Sequence, residues 1–320
     1  MPVRADELLA VVERSGLVEE YHEGTVAVVD SHGRLVAFAG DVDRPFYYRS
    51  ASKPFQATAS MEAGADLPPT HLAVACASHS GDPVHVAIVL DILARAGLSE
   101  SDLRCPPARP MPAADRRLVL TGDIEPVRRY HNCSGKHAAM LAACVASGWD
   151  TATYLEPHHP LQRRVADLLT DVSDIESRAP GVDGCGAPVW RTTTAGLARA
   201  FAHLETDERF EPVRRVMAAY PLLVSGVGRN DGAIGQWLGA AAKVGAAGCL
   251  GVAVAGHGIA AKAWSGSSEV AGVGVGLGLT HLGLLTASLA DALRDVVQPP
   301  VFGGAEETGR IRPVAVLESV

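Results

Sequence analysis

The chain has 320 residues, 48% of them hydrophobic and 20% charged, with 28 basic against 36 acidic residues and a formal net charge of -8. That length buries a large core in one domain or two. The acidic excess argues against nucleic acid or an anionic membrane as a partner, because phosphate binding needs a basic footprint, and it suits a protein that handles a small molecule.

The chain opens Met1-Pro-Val-Arg-Ala-Asp-Glu7, and no apolar run follows this charged start. No secretory leader is expected, and the chain is read as cytoplasmic. Residues 24–30 are β-branched and end in Asp30-Ser-His-Gly33; residues 34–39 resume the apolar pattern. Two strands joined by a polar turn ending in glycine predict a hairpin. A helix is expected from about Ser50 to Ala63, with Pro54 tolerated in its first turn.

The alanine-rich middle predicts helices near 84–96, 135–147, 158–170, 193–204, 208–219 and 232–244, with an irregular proline-rich connection at 105–113. Strands are expected over 248–255 and 259–264, around Gly256-His-Gly258, followed by a long helix over about 277–296. The most apolar stretch, about 270–291, is broken by glycines, Thr280 and His281, so it reads as a buried segment and not as a membrane span. This order predicts one mixed α/β (α+β) domain over 1–320. Its sheet comes from both chain ends, about 20–40 and 248–265, around a helical region of about 50–245.

Three short segments carry the chemistry. Ser50-Ala-Ser-Lys53 places a hydroxyl and an amine on one helical face. A buried lysine, or one beside a second cation, loses its proton more easily and can deprotonate a serine. The plainer reading is a helix cap followed by a surface lysine. Ala75-Cys-Ala-Ser-His-Ser-Gly-Asp82 offers Ser78, His79 and Ser80 at a cleft mouth, or an ordinary polar turn.

The cysteines stand at 76, 105, 133, 144, 185 and 249. In a large chain without a leader, clustered cysteines bind metal, react or fill core more often than they form disulfides. Cys133 and Lys136, with Cys185 on the turn Gly181-Val-Asp-Gly-Cys-Gly186, form an incomplete soft-metal shell to which His137 is a further candidate. Such a shell leaves room for water or substrate. The alternative is a set of reduced core thiols.

These residues resemble the Rhizobium-type L-asparaginases, the asparaginase II family. The likeness rests on Arg49-Ser-Ala-Ser-Lys-Pro54, Ala77-Ser-His-Ser-Gly81, His131-Asn-Cys-Ser-Gly-Lys-His137, His159-Pro-Leu-Gln162, Gly181-Val-Asp-Gly-Cys-Gly-Ala-Pro188 and Gly256-His-Gly-Ile-Ala-Ala-Lys262. It implies a fold similar to serine β-lactamases and glutaminases, with an antiparallel sheet, and a homodimer that hydrolyses L-asparagine to L-aspartate and ammonia. It also implies two Ser/Lys pairs, Ser50 with Lys53 and Ser78 with Lys262. By the same likeness, Cys133, Lys136 and Cys185 are zinc ligands, and Arg49, His137 and Asp183 contact substrate. The segments around 226–238 and 263–269 depart from the family pattern. Hydrolysis of another amide (glutamine, a peptide amide or a β-lactam) and an inactive zinc-stabilised amino-acid binder are therefore the alternatives.

Overall fold

The structure is a computed structural model that describes residues 7–111, 122–176 and 179–320. Residues 1–6, on which the expectation about a leader rests, and residues 112–113 of the proline-rich connection lie outside the described residues.

A nine-stranded sheet draws its strands from both chain ends. Its strands are β1 (Leu8–Arg14), β2 (Leu17–Val29), β3 (Leu35–Ala39), β4 (Ala241–Gly245), β5 (Cys249–Val254), β6 (His257–Ala263), β7 (Pro300–Gly303), β8 (Glu306–Pro313) and β9 (Glu318–Ser319). They run in the order β7-β8-β1-β2-β6-β5-β4, with β3 paired to β2 and β9, and every pairing is antiparallel. β2 holds the sheet together. Its first half pairs β1 from Leu17 to Glu23, and its second half pairs β6 from Gly24 to Val29 and β3 from Val26 to Val29.

Both faces of the central strands are covered, so their sequences are almost continuously apolar. Ala27, Val29 and Ala260 pack into the core beneath the helical body, while Val26, Val28 and Ile259 join the core on the other side. The helical body comprises α1 (Lys53–Glu62), α2 (Pro69–Ala75), α3 (Pro83–Arg95), α4 (Ser134–Ser147), α5 (Pro160–Ser173), α6 (Thr194–Thr206), α7 (Glu211–Ala219), α8 (Pro221–Ser225) and α9 (Asn230–Leu238). The far face is covered by α10 (Ser268–His281), whose glycines let its backbone approach the sheet. A Cβ on Gly274 would stand 2.8 Å from the Ala261 Cβ, and one on Gly278 would stand 2.6 Å from Ile259.

Several expected boundaries are corrected. The helix expected over 232–244 stops at Leu238, where Gly239 adopts φ +62° and ends it; the chain then enters β4. The long helix expected over 277–296 is instead α10, followed by two short helices at Ala287–Ala292 and Arg294–Val297. The sheet also extends beyond 20–40 and 248–265 through β1, β4, β7 and β8. β8 is largely polar and half-exposed, so ladder bonds to β1 hold it rather than an apolar face of its own. No helix among the described residues is long and apolar enough to cross a membrane.

Candidate active site

Ser50 sits in a single 3-10 turn, Arg49–Ser52, that leads directly into α1. Arg49 just before it adopts φ +50°, a left-handed conformation that costs an ordinary residue on the order of 1–3 kcal/mol. The turn exposes Ser50 partly while Ala51, Ser52 and Lys53 point inward. Pro54 occupies the first turn of α1, where its missing N–H has no cost.

Lys53 is wholly buried, yet its amine does not reach back to Ser50. Nζ donates to the Ala77 carbonyl at 2.5 Å, the Ser78 Oγ at 2.9 Å and the Asn132 carbonyl at 3.3 Å. Burial drives its pKa down to about 8, aided by the nearby cations Lys136 and Lys243 and opposed by the Cys133 and Cys185 sulfurs. Among the described residues, the Ser50 hydroxyl has no hydrogen-bond partner.

Lys262 lies elsewhere. Its position on β6 faces the helical body, and its Nζ donates to the carbonyls of Ala247 (2.8 Å) and Ala263 (2.5 Å). The amine stands 4.7 Å above the Trp264 ring and 5.9 Å from that of Phe46. Burial again lowers its pKa, against the neighbouring Cys249. The expected Ser78–Lys262 pair is therefore replaced by Ser78–Lys53, because α1 carries Lys53 across to the loop after α2. Lys262 approaches the Ser50 turn from the sheet side: Cys249, beside Lys262 and Arg49, donates to the Tyr48 carbonyl at 3.5 Å.

Arg49 and Asp183, expected to hold opposite ends of a substrate, bind one another. The Arg49 Nε stands 2.7 Å from Asp183 Oδ1, which also accepts from the Gly184 N–H at 2.9 Å. The second carboxylate oxygen faces Cys185, 3.9 Å from its sulfur.

The two thiols meet. Cys133 precedes α4, Cys185 lies on the turn after Gly184, and both are buried. They share a hydrogen bond that pushes the Cys133 thiol up, with burial adding to the rise. The same bond holds Cys185 low, against burial and with help from Lys136 and His137. Burial works against the Lys136 charge, but the two sulfurs and Asp183 outweigh it and raise its pKa. His137 is buried, and burial lowers its pKa. Its Nδ1 stands 2.6 Å from the Tyr154 hydroxyl, while its Nε2 lacks a hydrogen-bond partner among the described residues and Cys185 is the thiol beside the ring.

No group of three or more His, Cys, Asp or Glu side chains disposed to hold a metal is found among the described residues. Two buried cysteine sulfurs and an unsatisfied imidazole nitrogen nevertheless suit a soft cation, while Lys136, whose pKa is raised here, could join them only after giving up its proton.

Three further residues were not legible as part of the site. Lys243 and Asp231 form a fully buried ion pair 2.5 Å long, and Lys243 is one of the cations lowering Lys53. Arg229 donates to the Ser78 carbonyl at 2.8 Å. The residues before Lys243 look like ordinary helix, and only the sheet pairing of β4 turns its side chain inward. His79, a possible base, is instead buried and bonded to Ser134 Oγ at 3.0 Å.

Comparison with known proteins gives a consistent family assignment. No curated protein matches the chain. Among solved structures, one described as Mglu in its native form is 16% identical at a TM-score of 0.44, covering 88% of this chain and 66% of that one, just under two thirds of its length. A Bacillus glutaminase is 13% identical at a TM-score of 0.38, covering 82% of this chain and 91% of that one. Likenesses this distant carry no argument about the site. The model of the L-asparaginase II family matches residues 10–313, which include every residue placed above, and the chain belongs to that family.

Proposed function

We propose that the enzyme hydrolyses the side-chain amide of L-asparagine to L-aspartate and ammonia through an ester on Ser50. The observation that carries this reading is the wholly buried Lys53 amine, 2.9 Å from a second serine hydroxyl and one turn beyond a partly exposed Ser50. An amine whose pKa is about 8 is neutral in a useful fraction near neutral pH, so it can act as a base.

In the first step the Ser50 Oγ forms a bond to the amide carbon while its proton passes to Lys53 Nζ, which turns toward Ser50 from its bonds to Ala77, Ser78 and Asn132. The carbonyl π-electrons move onto oxygen, and backbone N–H groups near the start of the Ser50 turn would receive that charge. The carbon–nitrogen bond then breaks. The proton held on Lys53 reaches the departing nitrogen through the Ser78 hydroxyl, which passes on its own proton as it accepts that of the lysine. Water next attacks the ester, giving its proton to Lys53, and Ser50 leaves with that proton as the acid is released. Ser78 is nearly buried and already bonded to Lys53, which supports a relay role; Ser50 is the hydroxyl a substrate can reach. Lys262 acts from the sheet side as a nearby positive charge.

Zinc belongs to the same reading. Cys133, Lys136 and Cys185 would hold it, beside substrate contacts at Arg49, His137 and Asp183. When bound, zinc would supply a Lewis acid that polarises a carbonyl or a water. A homodimer in the cytoplasm completes the reading, and none of the steps above requires it.

The test is ammonia release from purified protein with L-asparagine, L-glutamine, a peptide amide and a β-lactam in parallel. Preferential turnover of L-asparagine supports the reading. Faster turnover of another amide moves the substrate while keeping the chemistry. Failure with all of them, together with tight binding of an amino acid, favours an inactive binder.

A further inference from the structure

A cavity of about 560 Å³ is lined in part by Arg229, which bonds the Ser78 carbonyl. Its volume falls within the range of about 300–1,000 Å³ typical of small-molecule sites. Its walls come from Gly228–Asn230, the stretch from Val244 to Gly248, and Gly266, Ser268 and Glu269. These include the two segments in which the sequence departs from the family pattern.

Ser78, Lys262 and the turn that carries Ser50 each touch a residue lining this cavity. Arg229 lines it and donates to the Ser78 carbonyl at 2.8 Å. Ala247 lines it and accepts from Lys262 at 2.8 Å. Gly245 lines it and lies against the Ser50 turn so closely that a Cβ there would stand 2.7 Å from the Tyr48 carbonyl and 3.3 Å from the Ala51 nitrogen. The wall is fixed: Ala247 and Gly248 adopt φ +63° and +73°, and Asn230 Nδ2 donates to the Ser268 carbonyl at 2.7 Å.

The charges in the wall are complementary to a zwitterion. Arg229 is half-buried and has no carboxylate partner among the described residues; its one hydrogen bond is to the Ser78 carbonyl. Of the two acidic residues lining the cavity, Asp295 pairs with Arg310 at 3.5 Å. The Glu269 carboxylate accepts only from the Ser267 and Ser268 hydroxyls among the described residues. Arg49 and Asp183, by contrast, already neutralise one another at 2.7 Å.

We propose that this cavity binds the amino-acid head of the amide substrate, with Arg229 holding its α-carboxylate and Glu269 facing its α-ammonium. The proposal rests on the amidohydrolase reading above and assigns the carboxylate to Arg229 in place of Arg49. A guanidinium presents a planar fork that matches a carboxylate, and the one here is free to use its remaining N–H groups. Because Arg229 also bonds the Ser78 carbonyl, a substrate whose carboxylate it holds would have its amide end directed toward the Ser78 loop.

The experiment compares L-asparagine with its α-carboxamide, in which the α-carboxylate is neutral, on the wild type and on Arg229→Gln, Arg229→Lys and Arg49→Gln. In the wild type kcat/KM should favour L-asparagine by at least about tenfold, as expected for a charge-assisted contact. Arg229→Gln should bring that ratio near one by raising KM for L-asparagine, and Arg229→Lys should restore part of it. A merely structural role would lower both substrates together and leave the ratio unchanged. Collapse of the ratio in Arg49→Gln but not in Arg229→Gln overturns the proposal. Calorimetric binding of L-aspartate separates this from the catalytic reading: if no amide is turned over, a tenfold weaker Kd in Arg229→Gln still supports the site, and an equal Kd rejects it.

Discussion

Lys53 and Ser78 are joined by a 2.9 Å hydrogen bond between Nζ and Oγ, across 25 residues of sequence. The lysine is three residues from Ser50, yet the nearer serine is not its partner. The 3-10 turn carries Ser50 to the surface of the site, while the start of α1 sends Lys53 into the interior. The amine is therefore bonded to the buried hydroxyl of Ser78 and not to the accessible one of Ser50.

Ser50→Ala should abolish turnover, and Ser78→Ala should lower kcat by about 10²–10⁴, the range for a lost proton-transfer group. Ser50 is partly exposed, so thermal unfolding of Ser50→Ala should change little, whereas Ser78→Ala strands the buried Lys53 amine and should cost about 1–3 kcal/mol. Ammonia release alongside a melting curve checks both, and full activity in Ser50→Ala would reject it as the nucleophile.

Activity should rise with pH through about 8, as the buried Lys53 loses its proton. The stability effect has the same sign. The pKa of Lys53 is about 8 folded, against an ordinary value of 10.5, so between these values the unfolded chain binds the extra proton. This group therefore makes the fold more stable as pH climbs through that window. Its unfavourable contribution is fully present below about 8, where both states are protonated. A pH series of kcat/KM and of denaturant melts measures the two effects, and Lys53→Met should flatten both.

Lys243→Met should move the activity limb to higher pH, because it removes one of the cations that help lower Lys53. It also strands Asp231, whose carboxylate is fully buried with it. Breaking such a pair costs about 3–5 kcal/mol, whereas replacing both partners with apolar residues costs far less. Chemical denaturation of Lys243→Met, Asp231→Leu and the double variant should show that order; equal losses for single and double variants would contradict it.

Purified protein should contain about one zinc per chain, and Cys133→Ser or Cys185→Ser should lose most of it, as expected for removal of a thiolate ligand. Elemental analysis decides this directly. Chelation should lower Tm in the wild type, because a ligand bound only to the folded state stabilises it. A metal-free wild type with unchanged Tm would reduce the sulfur pair to core packing.

Gly258→Ala should destabilise the protein by about 3 kcal/mol or more, at the upper end of overpacking effects. A Cβ there would lie 1.9 Å from the Ala198 carbonyl oxygen and 2.4 Å from the Ala202 nitrogen, so the backbone of α6 would have to move off β6. Denaturant melts provide the check, and a neutral effect would show that α6 is not packed this closely.

Local chemistry in the sequence determined much of this protein. The glycine turn after Asp30 gave the hairpin, Pro54 and the alanine-rich runs gave helices, and the spacing of Cys133, Lys136 and Cys185 identified groups that do meet. The family motifs pointed to the L-asparaginase II family, whose model matches residues 10–313. Tertiary structure decided what depends on distant segments. Ladder bonds, not apolar pattern, recruit the polar strand Glu306–Pro313. The αL conformation of Gly239 and an edge-strand pairing convert an apparent helix into β4 and aim Lys243 inward. The amine of Lys53 goes to Ser78, and Arg49 to Asp183, because a long flexible side chain bonds whichever partner folding brings within about 3 Å, and sequence separation does not set that distance.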